Sequence, residues 1–208
     1  MHTLPPPEGT EDYHRIPFQF TDKVSSRNVF IRLPDSFTPV ERMVLQASGN
    51  LQRIISAYFN VPSHVEIIKN GAMPATTTTT TNSGDPIHQV YDRQTKIHFG
   101  DIMAYEADSI VIARDQKILE LIEVHKYGLG QIFRYAQRTP DFKLLAVGRH
   151  GTKPGSSFWR DYSLRIPGLV DCFIRETFVQ GLFHTMTDTQ QEDGKGTIWF
   201  NQPLDTTI

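Results

Sequence analysis

The chain has one cysteine, Cys172, so no disulfide framework can form. No stretch approaches the roughly 20 apolar residues a membrane helix requires. Charge of one sign is also missing: 21 Lys and Arg stand against 23 Asp and Glu, for a formal net charge of -2. Nothing in that balance asks for a nucleic-acid or anionic-membrane partner. The first residues carry neither a basic cluster nor an apolar run, so no secretory signal is read there. The expectation is a soluble, cytoplasmic protein whose partner is a small molecule. Oligomeric state is not legible.

Motif chemistry is equally sparse. The eight histidines are scattered without the spacing of a metal site. There is no phosphate loop, no dinucleotide glycine fingerprint and no serine elbow. Cys172 falls on an apolar strand face, where desolvation raises a thiol's pKa and blunts it as a nucleophile. No metal and no cofactor are expected.

The 208 residues suffice for one substantial core. Residues 1–27, polar and rich in proline, read as a flexible arm. Residues 28–33 suggest a short edge strand. Thr38, Pro39 and Glu41 form a capping-box helix start, with Val40, Met43, Val44 and Ala47 as its apolar stripe. A second helix is predicted over 51–59, with Leu51, Ile54, Ile55 and Tyr58 in phase. Residues 64–69 read as a strand. The region 70–86, which holds six consecutive threonines, reads as a mobile insertion.

Long strands follow over 87–99 and 102–113, joined at Gly100-Asp101. Tyr91, Arg93, Thr95, Ile97 and Phe99 share one face, so Arg93 is the cation on an apolar side. The partner strand presents small side chains, among them Ala107 and Ser109. A helix capped by Asp115 reaches to about Lys126. The segment Tyr127-Gly128-Leu129-Gly130 interrupts it, and a further helix starts near Gln131. A strand over 141–149 precedes two more, over 158–166 and 170–179, turned at Pro167-Gly168. From about residue 185 the chain reads as a polar tail. The sum is an α+β domain over 28–184: an antiparallel sheet of about six strands with helices on one face.

Three charges stand on apolar strand faces: Arg93, Arg160 and Glu176. They either pair with one another for the fold or line a buried polar site. An enclosed arginine suits a carboxylate, and a carboxyl in an apolar pocket can donate a proton.

These segments also resemble, in order, the motifs of the chorismate pyruvate-lyase family, in its archaeal-type branch. The run PDSFTPVERMVLQASGNLQRIISAYFN is similar to that family's helical opening. Tyr91-Asp92-Arg93 and Ala107-Asp108-Ser109 resemble its R-x-V-x-L and A-E-S strands. Leu129-Gly130-Gln131-Ile132-Phe133 is similar to its P-[IL]-G-[KR]-x-[LF] segment. Arg160-Asp161-Tyr162 and Glu176-Thr177-Phe178 match its R-x-Y and closing segments. The chain departs at Ser48, where the family has an acid, at Gln52, where it has Thr, and at Asp108 within A-E-S.

The resemblance implies a chorismate lyase-like fold with two helical flaps over a buried ligand pocket. It implies a cofactor-free lyase that converts chorismate to 4-hydroxybenzoate and pyruvate. Arg93 would clamp a ligand carboxylate and Glu176 would face it as the second catalytic group. Leu51 and Leu129 would close the flaps, with Arg160 on the substrate-binding set. The departures widen the expectation to another reaction of natural-product biosynthesis on the same fold: cyclisation, isomerisation, dehydration or decarboxylation. A non-catalytic aromatic-acid-binding domain is the remaining alternative.

Overall fold

A computed structural model describes residues 13–20, 22–24, 26–27, 29–73, 89–153, 155–183 and 196–201. Within them lie β1 (His14–Phe18), β2 (Asp22–Val24), β3 (Val29–Ile31), α1 (Pro39–Leu45), α2 (Leu51–Phe59), β4 (Ser63–Ala72), β5 (Gln89–Phe99) and β6 (Ile102–Ala113). The chain continues through α3 (Gln116–Glu123), α4 (Leu129–Ala136), β7 (Asp141–Arg149), β8 (Phe158–Ile166), β9 (Val170–Phe178) and β10 (Thr197–Asn201). Eight strands form one open sheet in the order β1-β10-β7-β8-β9-β6-β5-β4, while β2 and β3 make a separate pair. No helix among the described residues is long and apolar enough to cross a membrane.

The α+β class holds, but the sheet is larger than six strands and mixed rather than wholly antiparallel. The added strands are β10, which pairs antiparallel with β7, and β1, which pairs parallel with β10. Part of the expected arm and part of the expected tail therefore meet as one edge of the sheet. Each is short and lies far from the other in sequence, so neither shows a pattern that predicts it. At the opposite edge β4 continues through Ala72, so the expected insertion cannot begin at residue 70. The threonine run itself lies outside the described residues.

Register decides what meets what. Phe158, Arg160, Tyr162, Leu164 and Ile166 on β8 stand opposite Phe178, Glu176, Ile174, Cys172 and Val170 on β9. β9 in turn places Glu176 against Ala107 and Ile174 against Ser109 of β6. β5 continues the same rows with Thr95 beside Ala107 and Arg93 beside Ser109. Cross-strand partners share a face, so these residues form one inner face. Val44, Leu45, Leu51, Ile55, Ile118, Leu121, Ile122 and Ile132 from the four helices join it in a single core.

The helix starts are local chemistry. Thr38 Oγ1 accepts from Glu41 N and Glu41 returns a bond to Thr38 N at 2.8 Å, with Pro39 at the first position. A cap of this kind contributes about 1 kcal/mol. Asp115 accepts from the Lys117 and Ile118 amides to start α3. The α1 stripe differs from expectation at Met43, which is 61% exposed while Leu45 is buried. Tyr58 of α2 is likewise exposed. Helix α4 begins two residues before the expected Gln131, so Leu129 and Gly130 belong to its first turn rather than to a linker.

Two arginines of the sheet fix α1 at its ends. Arg149 of β7 reaches Glu41 at 2.5 Å and packs over the Phe37 ring at 4.9 Å. Arg160 of β8 donates to the carbonyls of Val44, Leu45 and Ala47 at 3.0, 3.0 and 2.8 Å. It thereby satisfies acceptors that the last turn of a helix leaves open.

The sheet's other face is built differently. Arg175 and Asp161 pair across β9 and β8, and Arg175 lies 4.9 Å over the ring of Trp159. The indole rests on Gly148, where a Cβ would collide with it, so a glycine is required there.

Candidate functional site

Five residues carry the functional expectation: Leu51, Arg93, Leu129, Arg160 and Glu176. Arg93, Arg160 and Glu176 all lie on the inner face of the sheet. Leu51 opens α2 and is buried in the core, and Leu129 opens α4 and packs against that core. Thus the face is shared, but the charges on it do not form one cluster.

Glu176 belongs to Arg160. The hairpin puts them directly opposite, and Arg160 Nε donates to Glu176 Oε2 at 2.6 Å. Tyr162 donates to the other oxygen, Oε1, at 3.0 Å. Arg160 is 1% exposed and Glu176 6%. No buried atom of either side chain lacks a hydrogen-bond partner. Burial alone would lower the pKa of Arg160, but the Glu176 carboxylate, with help from Tyr162, carries it above the ordinary value. Burial and then the same carboxylate push the Tyr162 hydroxyl well above its usual range. Tyr105, whose hydroxyl is hydrogen-bonded by Gln52 of α2, is raised in the same way. The cluster is a neutralised, hydrogen-bonded knot that ties α1 and α2 to the sheet.

Arg93 stands apart. Two strands separate it from the strand of Glu176's partner Arg160, and the row through Arg93 contains Ser109 and Ile174 instead. The side chain is only 2% exposed. Its Nη2 donates to the carbonyl of Tyr127, just before α4, at 3.1 Å. Nε and Nη1 are buried without a partner among the described residues. Desolvation accordingly lowers its pKa from the ordinary arginine value. Leaving a buried charged donor unmade costs on the order of 1–3 kcal/mol or more, so a group so placed needs an account.

The inner face beside Arg93 carries small side chains. Ser109 and Ala107 are small, and Thr95 and Ala107 are half-buried although they lie on the inner face of central strands. Helices α2 and α3 pack on β5 and β6 beside them. Cys172 lies on the same face, and burial raises its thiol pKa despite the pull of Arg93. It is not a nucleophile in this setting.

Two participants escaped the sequence reading. Tyr162 carries no charge, so strand alternation alone does not mark it. Counting back from the Pro167-Gly168 turn places Arg160 across from Glu176, so the ion pair had a local signal. Asn70 is the other: it stands directly opposite Arg93 at the edge of the sheet, and its Oδ1 is buried without a partner among the described residues. It had been assigned to the insertion because glycine and proline follow it.

No protein-family model and no curated protein matches the chain.

Proposed function

We propose that the inner face beneath α2 and α4 binds a small carboxylated cyclic compound, with Arg93 as the anchor of its carboxylate. One observation carries this reading: Arg93 is buried with Nε and Nη1 unpartnered among the described residues. Whichever hydrogen of Nη2 Tyr127 takes, the other shares an edge with Nη1 or with Nε, both without a partner among the described residues, and a carboxylate there accepts two parallel N–H···O bonds. Leu51 and Leu129, each the first residue of its helix, supply apolar cover that excludes water and strengthens the contact.

The reaction proposed is a cofactor-free elimination, as the motif resemblance implies: chorismate to 4-hydroxybenzoate and pyruvate. Such a reaction gains a ring's aromaticity, so orientation of the substrate supplies much of what a protein must provide. Glu176 and Arg160 enter as the wall of the site rather than as free acid and base, because each already holds the other.

That same engagement of Glu176 favours a second reading, a domain that retains an aromatic acid without turning it over. Incubation of the pure protein with chorismate, followed by chromatography for 4-hydroxybenzoate, separates the two. Product formation that is lost in Arg93→Ala supports the lyase. Binding of 4-hydroxybenzoate measured by calorimetry, with no turnover at high protein concentration, sinks the lyase and leaves the binding domain. A protein that neither turns over chorismate nor binds a carboxylate removes both.

A further inference from the structure

The site has an orphan acceptor next to its orphan donors. Asn70 of β4 and Arg93 of β5 are direct cross-strand partners. Their side chains therefore share a face of the sheet. Lys69, the preceding residue, points to the other face, where it meets Asp92 at 2.5 Å. On the inner side, Asn70 Oδ1 is buried with no hydrogen-bond donor among the described residues, and Arg93 Nε and Nη1 are buried with no acceptor among them. Buried polar groups are ordinarily paired, and each exception has a cost. Here the exceptions are complementary in sign and adjacent in place.

We infer that the ligand of this site is a carboxylate that also carries a hydroxyl or amino hydrogen-bond donor close to it: Arg93 takes the carboxylate and Asn70 Oδ1 accepts from the donor. This rests on the carboxylate-binding reading above and adds a selectivity to it. Arg93 alone would hold any small carboxylate. Asn70 discriminates, because a ligand without the donor leaves its oxygen buried and unmet, and such sites reject the analogue that lacks the group. Asn70 is thus a specificity residue at the rim of the site, on the edge strand rather than in the core.

The test uses the full chain and titration calorimetry with benzoate, the 2- and 3-hydroxybenzoates, and their methyl ethers. One hydroxybenzoate is expected to bind about tenfold more tightly than benzoate, the scale of one hydrogen bond to a group otherwise left unsatisfied. Its methyl ether, which cannot donate, loses the gain. Asn70→Ala is expected to erase the preference, so that the favoured hydroxybenzoate binds no more tightly than benzoate. Asn70→Asp is expected to abolish carboxylate binding, since an acid opposite Arg93 takes its donors. Equal affinity for benzoate and both hydroxy acids overturns the inference, as does a preference that survives in Asn70→Ala. Either result leaves the carboxylate anchor standing. If no probe binds the wild type better than it binds Arg93→Ala, the anchor itself falls, and the inference with it.

Discussion

Two arginines on one sheet face, Arg160 and Arg93, are buried to almost the same degree, 1% and 2% exposed. One is surrounded by acceptors: Glu176, and three carbonyls at the end of α1. The other meets, among the described residues, a single carbonyl, that of Tyr127, and keeps two nitrogens without a partner there. Equal burial with unequal satisfaction separates a charge that holds the fold from a charge whose donors the described residues leave open. Burial or an apolar strand face alone would have grouped them.

The contrast can be broken most forcefully at the satisfied pair. Glu176→Ala leaves Arg160 buried and uncompensated, and is expected to lower stability by about 3–5 kcal/mol; a urea melt with a midpoint unchanged from wild type would remove the distinction. At the unfilled site the effect moves from stability to binding. Arg93→Ala is expected to weaken a benzoate-type ligand about 100-fold, the scale of charge-assisted hydrogen bonds, with calorimetry as the measure. Arg93→Met sharpens the same point. It removes two unmet donors and one weak bond while keeping apolar volume, and is expected to leave stability unchanged or raise it by about 1 kcal/mol. A loss of several kcal/mol in thermal unfolding would make Arg93 structural. A small loss is expected of Tyr162→Phe, which deletes one hydrogen bond to Glu176 and should cost about 1 kcal/mol. Unfolding midpoints of the wild type and this variant that coincide would mean Arg160 alone holds the carboxylate.

Local chemistry was legible, and distant pairing was not. Strand β7, Asp141–Arg149, matches its expected limits, since its ends are set by a proline before it and a glycine after it. The α1 start was readable because Thr38, Pro39 and Glu41 act within four residues of one another. Glu41 shows the limit of such reading: the cap was visible, but its second bond to Arg149, over a hundred residues away, was not. The same limit explains the candidate site. Arg93, Arg160 and Glu176 were recognisable as charges on apolar faces, because strand alternation is local. Which of them would neutralise which depended on strand order, and β6 and β9 lie between Arg93 and Arg160. Asn70 was hidden for a different reason: low complexity beyond it obscured the end of a real strand.

The pairing of β1 with β10 has a consequence for how the chain is assembled. β1 is made before every other described strand, yet its neighbour in the sheet, β10, follows all of them and must itself dock on β7. Long-range contacts of this kind are entropically the slowest to close. The hairpins β5–β6 and β8–β9 can form while the chain is still growing. The edge made by β10 and β1 closes only once β10 has been made, so β1 waits longer for its partner than any other described strand of the sheet.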